Sequence, residues 1–212
     1  MNEERLLKLT EEFVKNNMDG YDSSHDWWHI ERVRGLARFI NDQEAAVDPF
    51  TLDIAVLLHD SADSKFAGDD IEQKYSKISE FMLGIGLSGI KDQVLEAIRN
   101  ISFSNKNHSG NINDPLLLIL QDADRLDAIG AIGIARAFNY GGFRNNPIYI
   151  PSGQTCITNR STIDHFYDKL LKLKDMMNTF TGRRIAADRH LYLEKYLEQF
   201  HKEWEFTHSS SR

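Results

Sequence analysis

Three side chains that commonly bind metals fall where apolar ones are expected. Projected at helical periodicity, His29 lies in the stripe of Val33, Leu36 and Ile40, and His59 in that of Leu52, Ala55 and Val56. Asp124 lies in the stripe of Leu117, Leu120, Ala128 and Ala131. A single inward histidine is ordinarily a hydrogen-bonded core residue. Three inward polar groups on three segments are another matter, because a buried carboxylate is costly unless it is paired or bound to a cation. Asp60 follows His59 a little over a quarter turn round, and Asp63, one turn beyond His59, faces the same side. A metal held by His29, His59, Asp60 and Asp124, with Asp63 or Asp127 supporting the ligands, accounts for the pattern. Two imidazoles and two carboxylates suit one divalent ion, manganese or iron first, with magnesium, cobalt, zinc and nickel as further options. Such an ion lowers the pKa of a bound water and so makes it a nucleophile.

These residues need helices to position them. Apolar residues recur at spacings of three, four and seven, and glycine and proline are scarce, at 13 and 4. An opening helix carries Leu6, Leu9 and Phe13 and stops at Gly20, and a second begins near Ser23 or Ser24 and runs through the His29 segment. Asp48-Pro49 and Asp114-Pro115 mark two further starts, each with a carboxylate cap and proline in the first turn. Helical patterns also cover Asp70–Leu83, Ser88–Ile101, Ser161–Met177 and Gly182–Phe206, which predicts an all-α bundle of roughly eight helices. A long loop is expected near residues 139–160, rich in glycine, asparagine and proline, with room for a short strand at Ile148–Ile150. The expected organisation is a single domain over 1–206 followed by a disordered tail.

Of the 212 residues, 41% are hydrophobic and 27% charged, enough for a sizeable core. The net charge of −7 argues against nucleic acid as a partner. The longest apolar run, Leu116 to Leu120, is far short of the roughly 20 residues that span a bilayer, so no membrane association is expected. An acidic N-terminus without a secretory signal and the lone Cys156 suit the cytoplasm. Trp204 and Phe206 fit either core packing or a homodimer interface.

At these motifs the chain resembles the HD superfamily of metal-dependent phosphohydrolases. The matching residues are His29 in DWWHIERVRGLA, His59-Asp60 in AVLLHDSADSKF, and Asp124 in QDADRLDAIGAIGIARAF. The resemblance covers about residues 20–140, and the block RRIAADRHLYLEKYLEQFHKEW is similar to that of small stand-alone bacterial members. It implies Asp124, followed by Arg125, as the ligand in place of Asp122 or Asp127, and helical projection agrees. It also implies an HD fold and a nucleotide as the first substrate to try. Many two-metal members carry extra histidines before the last aspartate. Only His108 stands there in this chain, which argues against a second tightly held metal.

Around the ligands, Asp63 is a candidate to take the proton of the attacking water or to cap its helix. Lys65 and Arg125 flank the metal motifs as candidate phosphate ligands. Arg136, Tyr140 and Arg144 lead into the long loop and could close over substrate, while His25 contacts substrate or caps its helix. Three other readings compete. One is a non-catalytic module sensing metal and nucleotide. Another is an HD-type di-iron oxygenase, which needs further histidines. The third is a zinc protease, since His25-Asp-Trp-Trp-His29 mimics H-E-x-x-H, but it leaves His59 and Asp124 unexplained.

Overall fold

The computed structural model describes residues 2–17, 26–61, 71–101, 113–151 and 160–209, with side chains as far as Glu205 in the last segment. These residues are helical throughout their regular elements: α1 (Glu3–Asn16), α2 (Trp27–Glu44), α3 (Pro49–Leu58), α4 (Ile71–Gly84), α5 (Lys91–Asn100), α6 (Pro115–Asp127), α7 (Gly130–Phe143), α8 (Thr162–Asp168), a 3₁₀ helix (Leu170–Met176) and α9 (Phe180–Ser209). The class is all-α, with no strand among the described residues.

Local chemistry explains the starts. The carboxylates of Asp48 and Asp114 accept the amide hydrogens of Thr51 and Leu116, and Pro49 and Pro115 sit in the first turn without a donor to lose. Asp26 caps α2 by accepting from the His29 amide, so that helix begins at Trp27 and not at Ser23 or Ser24, which lie outside the described residues. α1 ends at Asn16, short of Gly20, where the Asn17 side chain donates to the Phe13 carbonyl.

α3 is buried on every side from Thr51 to Leu58, which makes it the central helix. α1, α2, α5 and α6 pack around it, and α2 also packs extensively along α6. The α2–α3–α6 contact brings together the three segments that carry His29, His59 and Asp124.

Three expectations about boundaries need correction. α6 stops at Asp127 instead of continuing to Ala131, because Gly130 adopts φ +78° and the chain turns into α7. Gly133 then lies so close to the turn that a Cβ there would meet the Ala128 carbonyl oxygen at 2.2 Å. The predicted loop starts later than expected, since α7 runs on through Tyr140 to Phe143. Gly141 belongs to that helix, and a Cβ on it would lie 2.1 Å from Thr162 Oγ1, so it permits close approach and does not break the helix. Ile148–Ile150 forms no strand; the Pro147 and Ile148 carbonyls accept instead from the Thr162 and Ile163 amides.

The predicted helix over Ser161–Met177 is divided. Ser161 and Asp164 form a reciprocal cap for α8, and Lys169 leaves helical geometry before the 3₁₀ segment. The α9 backbone is helical to Ser209, beyond the expected start of the disordered tail at residue 207; residues 210–212 lie outside the described residues. Trp204 packs on Tyr149 and Phe200, and the Phe206 side chain is outside the described set. No helix among the described residues is long and apolar enough to cross a membrane.

Candidate metal centre

The centre forms at helix ends. His29 lies in the first turn of α2, His59 caps the C-terminus of α3, Asp60 follows in the turn, and Asp124 sits in the last turn of α6. Helix C-termini carry partial negative charge, so the ends of α3 and α6 favour a cation nearby.

Each histidine is oriented by its Nδ1. In His59, Nδ1–H donates at 2.6 Å to the Val56 carbonyl, which also accepts the His59 amide at the end of α3. In His29, Nδ1–H donates to Asp127 Oδ2 at 2.8 Å. Both rings therefore turn Nε2 toward the same space. Asp60 Oδ2 lies 3.3 Å from His29 Nε2, and Asp60 Oδ1 lies 3.4 Å from His59 Nε2. Asp124 Oδ1 lies 3.6 Å from His29 Nε2. Ligand atoms of His29, His59 and Asp124 all fall within 4.8 Å of one another.

The donors fit a divalent cation. His59 Nε2 is buried and has no hydrogen-bond partner among the described residues, which is costly unless something else occupies the lone pair. A histidine that binds a metal characteristically donates its other N–H to a carboxylate or carbonyl, and both rings here do so. Asp124 departs from the projection: its side chain is 41% exposed, giving the centre an opening to solvent. The buried carboxylates of α6 are Asp122 and Asp127.

Charge is concentrated around His29. Burial opposes its protonation, yet the carboxylates of Asp127 and Asp60 outweigh that and push the imidazole up to about 9. The site draws positive charge. Burial likewise works against ionisation of Asp127, but hydrogen bonds from His29 and Arg32 hold it well below the ordinary carboxylate range. Arg32 Nε and Arg136 Nη1 donate to Asp127 at 2.7 and 2.8 Å.

The structure distributes the other sequence-predicted residues unevenly. His25, Asp63 and Lys65 lie outside the described residues, as do His108 and Cys156. The Arg125 guanidinium donates to the Met176 carbonyl and stands 3.9 Å from Asp122. This guanidinium ties α6 to the approach to α9, and burial lowers its pKa. Arg136 reaches Asp127 and so braces the centre, where the sequence suggested closure over substrate. One turn further along α7, Tyr140 is half-buried, and Arg144 is the exposed C-cap.

Two relationships escaped sequence reasoning. Arg32, one turn after His29, had no signal beyond that spacing. Asp122 accepts from the Asn178 amide at 2.8 Å and the Thr179 amide at 2.7 Å, serving as a remote cap for α9.

No family model matches the chain. The Bacillus subtilis protein YpgQ is 35% identical over 208 residues, 96% of each chain. Its crystal structure in complex with ADP aligns at a TM-score of 0.77, covering 93% of this chain and 97% of that one. An HD-superfamily hydrolase from Bacillus thuringiensis is 37% identical, with a TM-score of 0.77 over 96% of this chain and 99% of its own. A predicted HD-superfamily hydrolase from an uncultured Thermotogales bacterium, 28% identical, aligns at a TM-score of 0.61 over 96% of this chain and 99% of that one. With that likeness along nearly its whole length, and with a histidine, a His-Asp pair and a distant aspartate converging at three helix ends, the chain belongs to the HD superfamily of hydrolases.

Proposed function

We propose that the protein is a divalent-metal-dependent phosphohydrolase that cleaves a phosphoester or phosphoanhydride bond of a small metabolite, most favourably a nucleotide. The observation that carries this reading is the convergence of His29, His59 and Asp124, with Asp60 set against both imidazoles. The ADP bound by YpgQ supports a nucleotide as the ligand class.

His29, His59, Asp60 and Asp124 would hold the ion, manganese or iron by the chemistry of the donors. A bound divalent cation supplies Lewis-acid polarisation of a phosphoryl oxygen and makes water a competent nucleophile near neutral pH. Asp124, being partly exposed, stands on the side from which substrate would enter. Asp63, four residues after His59, is assigned to take the proton of the attacking water, and Lys65 to hold the phosphate. His25, Tyr140 and Arg144 are assigned to substrate contact.

The test is phosphate and pyrophosphate release, read separately, from a panel of nucleoside mono-, di- and triphosphates with manganese, using Asp60→Ala as control. Manganese-dependent release that Asp60→Ala abolishes supports the reading. Tight nucleotide binding without release, across several metals, would replace it with a sensor.

A further inference from the structure

We infer that Asp127 is a positioning residue of the metal centre, fixing the His29 ring so that Nε2 points at Asp60 and Asp124, while Arg32 and Arg136 restrain Asp127 from becoming a ligand itself. This inference rests on the reading of those donors as a metal centre.

Asp127 lies one turn after Asp124 on α6, so one helix supplies both a candidate ligand and the support of another. Asp127 is 1% exposed, and donors from two other helices converge on its carboxylate. Oδ2 receives His29 Nδ1–H at 2.8 Å, Arg136 Nη1 at 2.8 Å and Arg32 Nη2 at 3.1 Å. Oδ1 receives Arg32 Nε at 2.7 Å. The Arg32 fork thus takes both oxygens, a geometry that fixes the plane of a carboxylate as well as its position. With that plane fixed, the His29 ring has one favourable orientation. Turning the imidazole over would remove Nδ1–H from Oδ2 and carry Nε2 away from Asp60, 3.3 Å distant. Arg136 arises from α7, so the orientation of a metal donor on α2 is set by the packing of α7 against α6.

The experiment measures manganese affinity of the metal-stripped full-length chain for wild type, Asp127→Ala and Asp127→Asn, with His59→Ala as a direct-ligand control. It is paired with proton NMR of the zinc-loaded proteins to observe the His29 Nδ1–H. Asp127→Ala is expected to weaken manganese binding about 10–100-fold, the usual effect of losing a ligand's supporting partner, and to lose the slowly exchanging Nδ1–H signal. Asp127→Asn preserves shape and covers the case in which the alanine variant does not fold. Its carbonyl can face the three donors at the Oδ2 position, leaving its NH₂ against Arg32, so its loss should be smaller and the proton signal retained. Wild-type affinity within twofold in the folded Asp127 variants, with the signal unchanged in Asp127→Ala, would overturn the inference alone. A wild-type chain that takes up no manganese, or one indifferent to His59→Ala, would overturn the metal-centre reading together with it.

Discussion

Asp60 Oδ2 stands 3.3 Å from His29 Nε2, although the two residues belong to different helix ends and are brought together only by the packing of α2 on α3. Asp60 also reaches His59 with its other oxygen, so it bridges both imidazoles. Asp60→Ala is therefore expected to reduce manganese affinity beyond the roughly 10–100-fold typical of a supporting residue, while circular dichroism remains that of the wild type. Isothermal titration with manganese checks this, and an unchanged affinity would contradict it.

The two aspartates Asp122 and Asp124 should separate cleanly by readout. Asp122 is fully buried and accepts from the Asn178 and Thr179 amides and the Thr179 hydroxyl, and Thr179 in turn accepts from the Gly182 amide at the start of α9. Asp122→Ala leaves those donors unsatisfied, at about 1–3 kcal/mol for each buried group, and should lower stability in urea. Asp124→Ala should cost little stability and most of the metal affinity. The reverse pattern would mean that the ligand on α6 has been misassigned.

Asp53, another buried carboxylate, contributes to the pH dependence of stability. Burial pushes the Asp53 carboxyl up, but hydrogen bonds from Arg38 and Arg34 outweigh it and hold the group below its usual value. Its contribution is complete above the unfolded-state pKa near about 4 and is lost as pH falls through the lower folded value. Asp53→Asn should destabilise the protein by about 3 kcal/mol at neutral pH, since it leaves the mostly buried Arg34 with Glu11 as its remaining strong partner. It should also flatten the decline in stability below about pH 4. Urea melts from pH 3 to 7 read both effects; a parallel decline in wild type and variant would contradict the assignment.

Gly133 tests the turn between α6 and α7. A methyl group there meets the Ala128 carbonyl, which as backbone cannot swing aside. Gly133→Ala should cost about 1–3 kcal/mol, as overpacking generally does, and weaken metal binding by disturbing the end of α6 that carries Asp124 and Asp127. Thermal melts and manganese titration measure the two effects, and a neutral substitution would show that the turn has slack.

Much of this architecture was legible because its signals are local. Asp48-Pro49 and Asp114-Pro115 announce their helices through a carboxylate and a missing donor within a few residues. His29, His59 and Asp124 stood out as polar residues at apolar positions. What escaped depends on partners far along the chain. Gly141 reads as a loop residue until Thr162 lies against it. The hydrogen bonds of Arg125 to the Met176 carbonyl and of Arg136 to Asp127 likewise have no signal in the local sequence. Periodicity also continues smoothly across Lys169, where the backbone departs from the helix.

Anomalous scattering at the manganese edge, from crystals grown with manganese, tests the central claim most directly. One strong peak is expected among His29 Nε2, His59 Nε2 and the carboxylates of Asp60 and Asp124, at about 2 Å from each donor. A map without a peak there, or with the metal at Asp122, would contradict it.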